Sequence, residues 1–193
     1  MRINHKFLTV NSNNNPMNWD DSFNTENGIL KNKNLHKPEV LFLGTFNPAL
    51  RTNPADFFYG RNFFWPGFKN LFNYNQIIIH TERLDNNPYN PTLIEIFDLC
   101  NKLSLTFCDL ISSIFNHTDN NTLILRREKE YIQFNNIEYN PIKDGDLEQL
   151  DRIGKVKWNT QEIIKYLKQT PSIKKIYFTR SISGHWATQI NYK

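Results

Sequence analysis

Nowhere does this chain hold an apolar run approaching the roughly 20 residues that a membrane-spanning helix needs. Residues Met1 to Glu39 are polar and Asn-rich, without the basic start, apolar stretch and small-residue cleavage site of a secretory signal. A soluble, cytoplasmic chain is the expectation. Cysteine is scarce: Cys100 and Cys108 are the only two, and their spacing matches neither a C-x-x-C redox pair nor half of a zinc site. Both read as buried thiols. His5, His36, His80, His117 and His185 are scattered, without the close pairing that helps mark a metal site, so neither metal nor cofactor is expected. The phosphate-cradling and nucleophile-elbow motifs G-x-G-x-x-G, G-x-x-x-x-G-K-[ST] and G-x-S-x-G are all missing, which argues against an ordinary nucleotide-binding α/β enzyme or hydrolase. There is no internal repeat.

What is there fits one domain: 193 residues can bury a proper core but are too few for two full α/β domains. One functional site and a monomer are the default expectations. Asparagine is abundant, with 28 copies, so no single Asn is informative without its position. The net charge of +4 is unevenly spread. From Arg152 to Lys193 there are nine Lys or Arg against one acid, Glu162, while the rest of the chain is net negative. Such a stretch reads either as a phosphate-tracking surface or as an ordinary solvated face.

Residues 1–38 contain the cluster Asn11-Ser12-Asn13-Asn14-Asn15-Pro16 and few periodic apolar positions, and they read as an irregular arm. Residues 39–193 read as a single α/β domain. Val40 to Gly44 is a continuous apolar run ending at glycine, as expected of a strand buried on both faces of a parallel sheet, whose carboxyl end is where chemistry collects. Gly67 to Tyr74 reads as a helix start, and Leu93 to Leu103 as a helix with Thr92 at its amino end. Leu105 to Leu110 is a second buried strand, and Asn116 to Asn121 a turn cluster. Leu123 to Ile142 mixes charge with short apolar pieces and fits no single element. Asn159-Thr160-x-Glu162 looks like a capping signal for a helix running to Gln169, stopped by Pro171 and followed by a third buried strand from Ile173 to Thr179. Strands alternating with helices predict a three-layer αβα sandwich around a short, mostly parallel sheet.

Directly after the first strand comes Gly44-Thr45-Phe46-Asn47-Pro48, and then Phe57-Phe58-Tyr59-Gly60-Arg61-Asn62-Phe63-Phe64-Trp65-Pro66. A small residue, two amides and several aromatics at the mouth of a sheet could stack a flat heterocycle, read its edge and hold a water. Phe57, Phe58, Phe63, Phe64 and Trp65 cannot all line one pocket, so most of them belong to the core.

These two strings resemble the uracil-DNA glycosylase superfamily, closest to its mismatch-specific and hypoxanthine-type branches, which carry a Gly-x-Asn-Pro or Gly-Ser-Phe-Pro motif after the first strand and an Asn-x-Phe-Trp string. Phe107-Cys108-Asp109-Leu110 is similar to the family strand whose last polar residue reads the base edge, and the likeness spans Val40 to about Arg180. The resemblance implies hydrolysis of the N-glycosidic bond of a flipped-out deaminated or mismatched base, such as uracil or hypoxanthine, in base-excision repair on DNA. It implies that Asn47 or Asn62 orients the water, that Phe46 or Phe64 stacks the base, that Tyr59 walls the pocket, and that Asp109 accepts from a ring N–H. Gly44, Thr45 and Pro48 would complete the base pocket, and Arg61, Lys174, Lys175 and Arg180 would contact the DNA.

Two departures matter. Between Gly44 and Asn47 there is one residue more than in Gly-x-Asn-Pro, which adds weight to Asn62. The family's second motif, a His-Pro-Ser or Ser-Pro-Ser type loop after a final strand, is absent from the sequence. Either the chain is truncated or it is a degenerate relative, and the alternative function is a catalytically impaired DNA-binding member of the same fold.

Overall fold

In the computed structural model the described residues are 1–15, 18–35, 37–59, 64–65, 67–68 and 91–179. The expected continuous apolar strand forms as β5 (Val40–Gly44). It lies parallel to β6 (Leu105–Asp109), with Gly44 opposite Asp109, and parallel on its other side to β12 (Lys175–Phe178). In all three strands the residues are aligned so that the carboxyl ends stop at one level.

Beyond this trio the expected architecture is corrected. Residues 1–38, read from the sequence as an irregular arm, carry β1 (Ile3–Asn4), β2 (Thr9–Val10), β3 (Phe23–Glu26) and β4 (Ile29–Asn32). The last three extend the main sheet antiparallel, in the order β12-β5-β6-β4-β3-β2. The turn that makes this possible is Asn27-Gly28, both residues at positive φ (54° and 67°), the left-handed pair that a two-residue hairpin requires. Glycine and asparagine tolerate that region where other side chains meet their own backbone.

Two further sheets are wholly antiparallel. One joins β1, β7 (Ile111–Ile114) and β11 (Val156–Trp158). The other is a meander of β8 (Asn121–Arg126), β9 (Lys129–Phe134) and β10 (Ile137–Tyr139), which occupies the stretch the sequence pattern left open. Its turns, Arg127-Glu128 and Asn135-Asn136, again sit at positive φ. The fold is mixed α/β with mostly antiparallel pairing, rather than a three-layer sandwich around a mostly parallel sheet, because the amino-terminal segment and the 121–139 meander both build local hairpins.

Helices cover both faces of the parallel trio. The first, α1 (Leu93–Lys102), starts at a complete capping box: the Glu95 N–H donates to Thr92 Oγ1, and the Thr92 N–H donates to the Glu95 carboxylate. Its Ile96, Phe97 and Cys100 bury themselves against Phe107 of β6 and against Phe7, Trp19 and Phe23 of the amino-terminal segment. The opposite face, Leu41, Leu43 and Cys108, receives Ile163 of α3 (Thr160–Gln169). Between them in sequence, α2 (Asp144–Arg152) packs Leu147 and Leu150 into a second cluster with Ile111 and Ile114. The third strand is not buried as expected: Lys175, Ile176 and Tyr177 of β12 are exposed, and among the described residues β12 is the sheet's outer strand.

Because Phe7 is fully buried between Trp19, Phe58 and His5, Phe7→Ala is expected to cost about 3–5 kcal/mol, read as a lowered urea midpoint. A loosely attached arm would leave the midpoint unchanged.

Candidate active site

Just past the aligned carboxyl ends, the amino-terminal segment threads between two stretches of chain. The His5 N–H donates to the Ser112 carbonyl (2.8 Å), the Lys6 N–H to the Asn47 carbonyl (2.6 Å) and the Ala49 N–H to the Asn4 carbonyl (2.8 Å). His5 and Pro48 form an isolated antiparallel bridge. This delivers His5 to the end of β6, where its Nε2 lies 2.6 Å from Oδ2 of Asp109. Asn47 reaches the same oxygen, its Nδ2 donating over 2.9 Å. Asp109 is 1% exposed and His5 2%, so this is a dry cluster.

The tautomer of His5 follows from its neighbours. Phe7 N–H donates to Nδ1 (3.0 Å), so Nδ1 is an acceptor, and the ring hydrogen on Nε2 donates to Asp109. Around the ring stand Phe7, Phe46 and Phe58, with centroids 5.8, 6.0 and 5.7 Å away. The orientation of Asn47 follows similarly: a carboxylate only accepts, so the nitrogen must face it. Oδ1 of Asn47 is thereby turned away, and it accepts no hydrogen bond among the described residues.

Gly44 makes the close packing possible. A Cβ at this position would sit 2.1 Å from Oδ1 of Asp109 and 2.9 Å from the Tyr59 hydroxyl. Tyr59 itself has φ of 67°, an uncommon backbone state for an aromatic residue. Its hydroxyl is buried, with the side chain of Thr179 beside it. Burial, and secondly the negative charge of Asp109, push its pKa well up, so it keeps its proton and remains a donor. The same two causes raise the Cys108 thiol, and burial alone raises Cys100; neither is a nucleophile.

Of the residues singled out in the sequence, Gly44, Asn47, Tyr59 and Asp109 meet here, and Pro48 backs His5. Thr45 turns elsewhere, its hydroxyl donating to Asp144 at the start of α2 (2.9 Å). Phe46 is buried in the second core cluster, and Phe64 stacks on Tyr59 (4.7 Å between centroids) while packing on Phe42 and Phe107. Both rings therefore pack protein rather than stand free. Arg61, Asn62 and Arg180 lie outside the described residues, as does most of the expected helix from Gly67 to Tyr74. Lys174 pairs with Glu39 (2.9 Å) and Lys175 opens β12, both at the amino end of the strand, opposite the cluster. His5 was not singled out, and no spacing or motif marks it, since it lies 104 positions from its partner.

Among the described residues, no group of three or more His, Cys, Asp or Glu could hold a metal ion, and no helix is long and apolar enough to cross a membrane. A cavity of about 240 Å³ lined by Leu30, Asn32, Pro38, Thr106 and Tyr166 lies at the amino end of the trio, away from Asp109. Comparison with family models, curated proteins and solved structures finds no match for this chain.

Gly44→Ala is expected to destabilise the fold by about 1–3 kcal/mol, because the new methyl displaces the Asp109 carboxylate from its donors. Chemical denaturation measures this; an unchanged midpoint would show that the contact yields freely.

Proposed function

We propose that this chain is a DNA glycosylase that hydrolyses the N-glycosidic bond of a deaminated or mismatched base, uracil or hypoxanthine in type, acting as a cytoplasmic monomer in base-excision repair. The observation that carries the reading is the Asn47 amide, held through its nitrogen by Asp109 at the carboxyl end of the parallel strands, with its oxygen left as an acceptor. In this reaction the bond from the sugar C1′ to the base nitrogen breaks, the sugar passes through an oxocarbenium-like state, and the base leaves as an anion. A preorganised acceptor can orient the attacking water, which is the part assigned to Asn47 Oδ1. Negative charge near the sugar favours the developing cation, the part Asp109 can play through space. The protonated Tyr59 hydroxyl is a donor of the kind a departing base oxygen needs. Asn62 is the alternative water-holding amide.

A second reading, a DNA-binding relative without catalysis, is favoured by one observation: Phe46 and Phe64, the two stacking candidates, are both packed against other side chains.

Oligonucleotides carrying uracil, hypoxanthine or a T·G mismatch, cleaved by alkali at abasic sites, separate the two. Base release from at least one is expected, with Asn47→Ala lowering kcat by about 10²–10³-fold and leaving duplex affinity intact. Release from none, with duplex binding retained, would establish the second reading. Duplex affinity is further expected to fall linearly with the logarithm of salt, with Lys175→Ala leaving that slope unchanged because Lys175 lies at the far end of β12 from Asp109; a slope reduced by about one would instead place Lys175 among the phosphate contacts.

A further inference from the structure

We infer that His5 is a positioning residue of this site: acting through Asp109, it fixes the orientation of the Asn47 amide. The inference rests on the reading of Asn47 as the water-orienting group, and it assigns the part played by a residue that touches no substrate.

His5 is held on every side. Its backbone N–H bonds Ser112, its Nδ1 is occupied by the Phe7 N–H, and three phenylalanine rings surround it. The only group it offers is Nε2–H, directed at Asp109 Oδ2 over 2.6 Å. With Nδ1 engaged and the ring 2% exposed, His5 cannot take a proton from substrate or water, so it is not the general base. What it does is anchor the carboxylate. Oδ1 of Asp109 is pressed against Gly44, and Oδ2 is shared by His5 and Asn47. With the His5 donor gone, the buried carboxylate keeps one of the two hydrogen bonds it receives among the described residues, and its torsion, which is intrinsically broad, is freer to turn. Asn47 Nδ2 then loses the fixed acceptor that tells its two ends apart, and the amide can present nitrogen where oxygen is needed. Misplacement of about 1 Å at a reacting group costs on the order of 10²-fold in rate.

The test uses the full chain with His5→Gln, whose amide N–H replaces Nε2–H, and His5→Phe, which has no donor. Side-chain amide resonances are recorded by ¹⁵N NMR, with Asn47 assigned by its disappearance in Asn47→Ala. In the parent protein the Asn47 amide is expected to be shifted and slow to exchange. His5→Phe is expected to return it to the position of a solvent-exposed amide, and His5→Gln to restore it in part. Single-turnover base release is expected to fall about 10- to 100-fold in His5→Phe with duplex affinity unchanged. The double variant His5→Phe/Asn47→Ala should be no slower than Asn47→Ala alone, since His5 acts through Asn47. A purely structural role would instead give additive losses. An Asn47 amide unmoved in His5→Phe overturns the inference whatever the activity, and so does additivity. If His5→Phe does not fold, loss or retention of the Asn47 signal in His5→Gln decides the matter. Should the parent release no base while its Asn47 amide still responds to His5, the glycosylase reading falls and the positioning role stands.

Discussion

A carboxylate removed from water must be given partners, and at Asp109 this one requirement organises much of the surrounding chain. Its two donors come from opposite ends of the sequence logic: Asn47 from the loop that follows β5, and His5 from the segment before β2. Its Oδ1 lies so close to Gly44 that no side chain could stand there. The amide of Asn159, which stands at the head of α3, donates to the Asp109 carbonyl (3.3 Å) and to that of Asn27 (2.6 Å) instead of capping its own helix. Hairpin, helix and sheet therefore all converge on one strand end.

Where the physics is local, the sequence displayed it. Continuous apolar runs marked β5 and β6, because a strand covered on both faces has no polar side to show. Thr92 marked the amino end of α1, and the Glu95 that completes its capping box stands only three positions further on. The Asn27-Gly28 turn was equally local and was overshadowed by the Asn-rich composition around it. Flanked by Phe23, Thr25, Ile29 and Leu30, it had the alternation of a hairpin. The meander from Asn121 to Tyr139 was harder to see. Its exposed positions mix aliphatic residues, Leu123, Leu125 and Ile137, with charged ones, so no face alternates cleanly, and one of its turns is built from Arg127 and Glu128, residues that seldom accept positive φ.

The site was legible by half. Gly44, Asn47, Tyr59 and Asp109 could be gathered because they follow strand ends or stand in one recognisable string. Whether an aromatic ring faces a ligand or the core is a different matter: it depends on what packs against it, and Phe46 and Phe64 turned inward for reasons that no spacing records. Nor could pairing across more than a hundred residues be read for a lone histidine. The Lys174–Glu39 pair shows the same limit, since a basic run along the sequence is divided in space between ion pairs and open positions.

The 104-residue separation between His5 and Asp109 also sets an order of assembly. On a ribosome adding about 5–20 residues per second, the first strand emerges roughly 5–20 s before the residues that receive it have been made. Through that interval Ile3, His5 and Phe7 have no sheet to join, and Asp109 has no histidine until the chain has doubled back on itself. Strand β1 is thus made well before the strand it pairs with, and the Asp109 carboxylate meets His5 only after the 104 intervening positions have been added.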